Sequence, residues 1–369
     1  MKYKEIETPE ALKRLLRNHD IIEYIAFQNL DFTGLEELLK DKVFQNCLFL
    51  GCKLPDAIFH LLQNCFIFPR LDLPYNSYVN RLYTPLDLYQ GYVLGQPDSF
   101  WQTFDQIVYR HFFKTGKYAK DIKETLARSL HDHAITDALD DFIEAFEEKK
   151  IVAFMGGHAL SRHDKSYAKI ALLSKTLTEK GFLMTSGGGP GAMEATHLGA
   201  WFGGKPDNEL TTAIRFLAQA PTFKHPKWLD LAMQLRQKYP APLYKSLAIP
   251  TWLYGHEPTA VFATYIAKYF ANSIREDKLL TIAKGGIIFA PGNAGTKQEI
   301  FQEATQDHYL SLGYASPMIF MDKYYWTVEK PVYPCLKKML EEQKYQNLIL
   351  SIHDDPDEIL KVILTFTKA

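Results

Sequence analysis

The sequence has no excess of charge of either sign and no long hydrophobic run. Its 369 residues include 42 basic and 43 acidic side chains, which gives a formal net charge of −1. No strong overall field therefore attracts the chain to nucleic acid or to an anionic membrane surface. No apolar run approaches the ~20 residues that a membrane-spanning helix needs. The first residues, Met1-Lys2-Tyr3-Lys4-Glu5, lack the apolar region of a signal peptide. We expect neither a nucleic-acid partner nor a membrane association.

Cysteine is scarce, and its spacing predicts no metal site. The four cysteines are Cys47, Cys52, Cys65 and Cys335, and three of them lie in apolar stretches, where a free thiol is usually a small core residue. A reducing cytoplasm is the expected location. One helical pattern carries several potential metal ligands, but residues two apart on a helix point away from each other, so we interpret them as a solvated face. These residues are His131, His133, Asp137 and Asp141.

From Ile151 onward, apolar segments of strand length alternate with helical patterns. This alternation is typical of a parallel sheet covered by helices on both faces. We therefore predict an α/β fold for residues 150–369, with a Rossmann-like, doubly wound parallel sheet. The predicted strands are 151–155, 182–185, 210–216, 246–253, 287–290, 318–321 and 348–352, and the predicted helices are 167–180, 258–284 and one that starts near Pro356 with Asp354 or Asp355 as its cap.

The first 149 residues follow a different pattern and are predicted to form an accessory domain of mixed α+β structure. Short apolar or aromatic runs at 24–32, 44–50 and 65–68 precede helical patterns near 100–113 and 120–148. The polar segment Glu147-Glu148-Lys149-Lys150 marks the predicted boundary. Two copies of Gln-Asn-Cys, at 45–47 and 63–65, hint at a repeat but are too short to establish one.

Two glycine-rich loops, about a hundred residues apart, carry most of the functional information. The first is Thr185-Ser186-Gly187-Gly188-Gly189-Pro190-Gly191-Ala192-Met193-Glu194-Ala195, and the second is Pro291-Gly292-Asn293-Ala294-Gly295-Thr296-Lys297-Gln298-Glu299. Each follows a predicted buried strand and opens a predicted helix. Backbone N–H groups and the helix dipole favour an anion at such a position. Two such loops in one parallel sheet predict a phosphate-bearing ligand across its C-terminal edge.

Each loop also has a purely structural interpretation. The first could be a turn that packs a helix on a strand, although three consecutive glycines exceed that need. In the second, Thr296 and Glu299 have the spacing of a capping box, in which the hydroxyl and the carboxylate satisfy two helix N–H groups. The loop from Pro291 to Gly295 is nevertheless longer than a cap requires.

A dinucleotide cofactor is the main alternative ligand, and the sequence argues against it. Gly187, Gly189 and Ala192 satisfy a loose G-x-G-x-x-A pattern, but the predicted strand 210–216 does not end in the acidic residue that would hold a ribose. Pyridoxal chemistry would need a lysine set apart for a Schiff base, and no motif isolates one. The residues therefore argue against a nicotinamide, flavin or pyridoxal cofactor.

The pair Gly-Gly-Gly-Pro-Gly-x-Met-Glu-Ala and Pro-Gly-x-x-Gly-Thr-x-x-Glu resembles the Lonely-Guy (LOG) family, whose members are often labelled "lysine decarboxylase". The resemblance covers residues from about Lys150 to the C-terminus. It implies an N-glycosidic hydrolase, a phosphoribohydrolase that releases free base and ribose 5-phosphate from a nucleoside 5′-monophosphate. It also implies a homodimer or larger homo-oligomer without metal or organic cofactor.

The resemblance assigns catalytic roles to Glu299 and Arg275. This chain departs from the family pattern at Asn293, where the family usually has glycine, and in the spacing from Arg275 to Pro291, which is one residue longer. These departures favour the alternative of a nucleotide sensor or carrier without turnover. The predicted nucleotide and phosphate contacts are Gly156, Gly157, His158, Ser186, Gly187, Gly188, Gly189, Gly191, Met193, Glu194, Pro291, Gly292, Asn293, Gly295 and Thr296.

Three further residues follow the strand that ends near Leu253 and are candidates for contacts with the base or the ribose. They are Tyr254, His256 and Glu257. Capping of a helix ahead of Pro258 would explain the same residues equally well.

Overall fold

The computed structural model describes residues 3–368, which form two compact units. One unit comprises the chain up to Leu82 together with His111–Asp141, and the other comprises Tyr83–Arg110 together with the chain from Phe142 onward. This division differs from the predicted boundary between residues 149 and 150. The reason is that the segment after Leu82 is built into the second unit, where the backbones of Tyr83 and Ile266 exchange two hydrogen bonds of 3.0 and 2.7 Å.

The first unit is built around two small parallel sheets. The chain alternates between the sheets, so that each pass contributes one strand to each, as in a β-solenoid. The orders are β1-β3-β5-β7 and β2-β4-β6. The strands are β1 (Lys4–Ile6), β2 (Ile21–Glu23), β3 (Ile25–Gln28), β4 (Val43–Gln45), β5 (Leu48–Leu50), β6 (Leu62–Gln63) and β7 (Phe66–Phe68).

The corners of this solenoid explain the two Gln-Asn-Cys segments. Tyr24, Asn46 and Asn64 occupy equivalent corners between successive strands, and all three have left-handed backbone with φ between 52° and 54°. Asparagine tolerates this conformation better than most residues. The Cys47 thiol donates to the Ile22 carbonyl of the preceding pass at 3.3 Å. The short segments are therefore parts of a structural repeat.

Residues 3–149 contain five α-helices. The helix predicted near 120–148 is present. It has 22 residues and is shorter than expected at both ends. The helices are α1 (Pro9–Asn18), α2 (Glu36–Leu39), α3 (Pro85–Leu88), α4 (Phe104–Thr115) and α5 (Ile122–Ile143), and short 3-10 turns occupy Asp56–Leu61, Pro97–Gln102 and Glu148–Lys150.

The second unit contains a sheet of seven parallel strands in the order β11-β10-β9-β8-β12-β13-β14. The strands are β8 (Ile151–Met155), β9 (Leu183–Ser186), β10 (Ser246–Ala248), β11 (Tyr265–Ile266), β12 (Ile287–Phe289), β13 (Pro317–Met321) and β14 (Ile349–His353). Every residue of β8, β12 and β13 is buried. Continuous apolar runs of this kind are expected for parallel strands covered on both faces. The predicted α/β class is confirmed, and the sheet is compatible with a Rossmann-like fold.

The α-helices of this unit that follow β8 lie between the strands or, for the last one, after them. They are α6 (Lys165–Glu179), α7 (Ala192–Trp201), α8 (Asp207–Leu217), α9 (Trp228–Lys238), α10 (Asn272–Thr281), α11 (Ala294–Tyr309), α12 (Val332–Glu341) and α13 (Pro356–Phe366), with a 3-10 turn at Trp252–Tyr254 and a π turn at Tyr325–Glu329. The predicted cap of α13 is Asp355, whose side chain accepts from the Asp357 amide.

Two predicted elements are wrong. The segment predicted as a strand at 210–216 lies in α8, because its buried residues Leu210, Ala213, Ile214 and Leu217 recur at the helical spacing of three to four. The long helix predicted at 258–284 is replaced by an irregular buried segment, by β11 and by the shorter α10. Residues 258–263 are all buried. They therefore lack the regularly spaced, solvent-facing polar positions that mark an amphipathic helix.

Candidate functional site

The site lies where the strand order of the seven-stranded sheet reverses. β8 is flanked by β9 on one side and by β12 on the other, and all three strands are parallel. Their carboxyl ends therefore open at the same edge, into Gly156-Gly157, the first glycine loop and the second glycine loop. Such a switch point is where open α/β sheets bind ligands.

Gly157 joins the two glycine loops directly. Its amide donates to the Pro291 carbonyl at 2.9 Å, and its carbonyl accepts from the Ala192 amide at 3.2 Å. The two loops therefore lie side by side. Gly191 has φ of +69°, and a Cβ at this position would collide with the Gly157 carbonyl, so this contact requires glycine.

In the described part of the chain, the helix that follows the second loop, α11, begins without a side-chain cap. α11 begins at Ala294, and within residues 3–368 the side chain of its N-cap, Asn293, makes no capping hydrogen bond. Thr296 is the third residue of the helix, so the capping-box interpretation of Thr296 and Glu299 is wrong. The amides of the first helical turn have no partner inside the helix and can bind an anion.

The first loop uses part of its polar backbone for its own structure. The Gly188 amide donates to Ser186 Oγ at 3.1 Å, and the Gly189 amide points at Met193 Sδ at 3.3 Å. Sulfur is a weak acceptor, so the Gly189 amide could exchange it for a phosphate oxygen. Ser186 is buried, and its Oγ lies 2.9 Å from Nε2 of His197, so its side chain supports the loop from behind.

Glu194, a predicted phosphate contact, is fully buried beneath the loop. Its carboxylate accepts from Nε of Arg162 and from the hydroxyl of Tyr167, both at 2.9 Å. Arg162 also donates to main-chain carbonyls of the segment 217–228. A carboxylate with these partners is sequestered from any phosphate, and it anchors the start of α7.

A cavity of about 330 Å³ opens beside the joined loops. That volume is in the range that a small ligand occupies. Fourteen predicted site residues line the cavity: Gly156, Gly157, His158, Gly187, Gly188, Gly189, Met193, Tyr254, Glu257, Arg275, Asn293, Gly295, Thr296 and Glu299. Among the described residues, the predicted contacts Ser186, Gly191, Glu194, Pro291, Gly292 and His256 are not part of this lining.

Arg275, Glu276 and Glu299 form a charged cluster in the cavity wall. Nη1 of Arg275 lies 3.2 Å from Oε2 of Glu276 and 3.7 Å from Oε1 of Glu299. Arg275 and Glu299 are only 6% and 8% exposed. Burial and, to a smaller extent, the charge of Glu276 raise the pKa of Glu299 to about 8, although the charge of Arg275 acts in the opposite direction. One guanidinium is therefore shared between two buried carboxyls.

Glu257 is a third carboxyl in the lining of the same cavity, and it is partly buried. Its Oε1 lies 3.2 Å from Nδ1 of His158 and 3.8 Å from Nε2 of His256, and both imidazoles are half exposed. Burial raises the pKa of Glu257, whereas the two histidines and Arg275 lower it. His256 thus reaches the cavity only through Glu257.

A buried lysine, Lys268, also lines the cavity and was not predicted from the sequence. Nζ of Lys268 donates to Asp105 Oδ1 at 2.6 Å and to Thr259 Oγ1 at 2.8 Å. Burial lowers the pKa of Lys268 despite the charge of Asp105. No sequence motif includes these residues. The incorrect prediction of a helix at 258–284 also gave no indication that the irregular backbone there brings them together. The other unpredicted lining residues are Ala159, Pro250, Thr251, Pro258, Glu276 and Ala294.

The part of the chain that the structure describes has neither a metal-binding cluster nor a membrane-spanning helix. Residues 3–368 contain no group of three histidine, cysteine or acidic side chains that could hold a metal ion. None of their helices has both the length and the apolar character needed to cross a membrane. In comparisons with known proteins, neither a family model nor a curated protein matches the chain.

Proposed function

We propose that this protein is a LOG-like phosphoribohydrolase with a Rossmann-like, doubly wound sheet. It would hydrolyse the N-glycosidic bond of a nucleoside 5′-monophosphate to free base and ribose 5-phosphate. The observation that supports this most is the position of Glu299, a buried carboxyl paired with Arg275, in a cavity bordered by two joined glycine loops. The family resemblance adds a homodimer or larger homo-oligomer, with a small nucleotide as the partner.

The phosphate would sit at the open start of α11, between the two loops. The first-turn amides from Ala294 to Thr296 and the dipole of a 16-residue helix favour a dianion there. In the first loop, the Gly189 amide would lose only its weak contact with Sδ of Met193 when it binds a phosphate oxygen. Asn293 has φ of −97°, so this turn does not need the glycine that the family pattern has at that position.

Glu299 would act on the sugar. Departure of the base leaves an oxocarbenium-like ribose, and an ionised Glu299 would stabilise that cation and take a proton from the attacking water. Arg275 would orient the carboxylate and favour its ionised form. Preorganised charges of this kind typically contribute a few kcal/mol, and about 1.4 kcal/mol corresponds to a tenfold change in rate.

The test is the Glu299→Gln variant, assayed for release of free base from AMP, GMP, CMP, IMP and UMP. We expect base release to fall by at least about 100-fold while nucleotide binding, measured by calorimetry, is largely kept. Glu303→Gln is the matched control, because Glu303 lies one turn further along α11 and is almost fully buried. Equal activity of the Glu299 variant and the wild type would remove Glu299 from the mechanism.

A nucleotide sensor or carrier is the second candidate. The observation that favours it is the pKa of about 8 for Glu299, since most of this carboxyl would be protonated at neutral pH in the empty site. In that case the wild type would bind a mononucleotide and release no base from any of the five substrates between pH 6 and 9.

A further inference from the structure

Hydrolysis of a glycosidic bond generally uses two carboxyl groups, one at the sugar carbon and one at the leaving group. The proposed function assigns Glu299 to the sugar. Of the three carboxyls that line the cavity, Glu276 and Glu299 contact Arg275, whereas the partly buried Glu257 contacts His158 and His256. Its role is therefore the open question of this site.

The two carboxyls reach the cavity at different ends of the first glycine loop. Arg275, the partner of Glu299, lies at the Gly187 end, with Nη1 3.6 Å from the position of a Cβ on Gly187. At the other end, Oε2 of Glu257 lies 3.5 Å from the position of a Cβ on Gly189. A ligand held by this loop therefore meets the Arg275–Glu299 pair near Gly187 and Glu257 near Gly189.

The surroundings of Glu257 favour a neutral carboxylic acid once a nucleotide is bound. The side chain is 14% exposed, and burial disfavours its ionised form. A phosphate arriving at the glycine loops would bring a further negative charge close to it. A carboxyl that keeps its proton can donate that proton to a leaving group.

His158 connects this partly buried carboxyl to the solvent. Its ring is half exposed, and its Nδ1 lies within 3.2 Å of Oε1 of Glu257. The ring also contacts Phe223 edge-on, with ring centroids 5.9 Å apart, which restricts its orientation. An imidazole in this position can return a proton from bulk water to a carboxylate that has given one away.

We propose that Glu257 is the acid that protonates the departing base and that His158 restores its proton from solvent. This inference rests on the proposed function. The C1′–N bond breaks and its electron pair stays on the base nitrogen, which takes the proton of Glu257. Water forms the new C1′–O bond and gives one proton to Glu299. Glu257 regains a proton through His158, and Glu299 later releases one, so the net reaction consumes one water molecule.

The experiment compares two leaving groups. Base release from the preferred nucleoside monophosphate needs a proton on the base, whereas p-nitrophenyl β-D-ribofuranoside 5-phosphate releases a stabilised anion that needs none. For Glu257→Gln we expect base release to fall about 100-fold or more, with p-nitrophenolate release within about threefold of the wild type. For Glu299→Gln we expect both activities to be lost. His158→Asn should reproduce the Glu257 pattern to a smaller extent.

Retained p-nitrophenolate release also shows that the Glu257 variant is folded. Equal losses for both substrates, or no loss for either, would overturn the assignment of Glu257. A proportional loss of both activities in His158→Asn would overturn the proton route. A wild-type protein that cleaves neither substrate would refute the proposed function itself, and the inference with it, which separates that failure from the other two.

Discussion

Substitution of Glu276 by glutamine is expected to move the pH dependence of base release to lower pH. In the proposed mechanism Glu299 must be ionised, and its pKa is raised to about 8 by burial and by the neighbouring Glu276. Activity of the wild type should therefore rise as the pH passes through about 8. Removing the charge of Glu276 makes ionisation of Glu299 easier, so the rise should begin earlier.

The size of this shift follows from the geometry. Oxygens of Glu276 and Glu299 lie 3.2 and 3.7 Å from the same nitrogen of Arg275. They are thus no more than about 7 Å apart, and two charges at that distance repel by about 2 kcal/mol at an effective dielectric constant of about 20. That energy corresponds to between about one and two pKa units. At pH 7 the ionised share of Glu299 should rise from about a tenth to more than half, a gain of at least about fivefold.

The assay measures initial rates of base release from pH 5.5 to 9.5 at saturating nucleotide, for the wild type and for Glu276→Gln. Asp277→Asn is the matched control, because it removes an exposed charge from the next residue of α10, where solvent screens it. A rising limb that stays in place, or moves to higher pH, in the Glu276 variant would refute the account of Glu299.

Two further predictions concern the loops. In Gly295→Ala the unfolding temperature should be unchanged or slightly higher, because alanine favours a helix and, apart from the two chain neighbours and the nearby backbone of α11, no described atom lies within 4 Å of the new Cβ. Calorimetry should show AMP affinity weakened about tenfold by a methyl group in the space of the phosphate; unchanged affinity would contradict the phosphate position. Glu194→Ala should lower the free energy of unfolding by about 3–5 kcal/mol in urea titrations, because it leaves the guanidinium of Arg162 buried without its partner. Tyr167→Phe removes only one hydrogen bond and should cost about 1–3 kcal/mol, so equal losses in the two variants would contradict this ranking.

The sheet could be predicted from the sequence where the physical signal is local. Ile151–Met155 and Ile287–Phe289 are continuous apolar runs that lead into glycine-containing loops, and both are buried strands. The prediction failed at 210–216, where a short apolar segment fits a strand and a helix equally well by composition. It also failed at 258–284, where residues 258–263 are all buried and lack the exposed polar positions that would distinguish an amphipathic helix from an irregular segment.

The solenoid could not be predicted from the sequence for another reason. Its repeat is defined by left-handed corners at Tyr24, Asn46 and Asn64 and by buried apolar positions, and these constraints fix few residue identities. Only two of the three corners share the Gln-Asn-Cys sequence, so the third gives no signal.

The candidate site was predictable as far as its motifs extend. The glycine loops, Glu299 and Arg275 meet as expected, since loops at adjacent strand ends must share one edge of a parallel sheet. Lys268 and Glu276 were not predicted because their place in the wall depends on tertiary contacts alone. The opposite is true of Glu194: its motif predicted a ligand contact, whereas the structure pairs it with Arg162.

The most direct test of the central claim is a crystal structure of the Glu299→Gln variant with AMP bound. We predict phosphate oxygens within hydrogen-bonding distance of backbone nitrogens from both glycine loops, and C1′ of the ribose facing the side chain at position 299. A phosphate that lies away from either loop, or a ribose turned away from that side chain, would contradict the account.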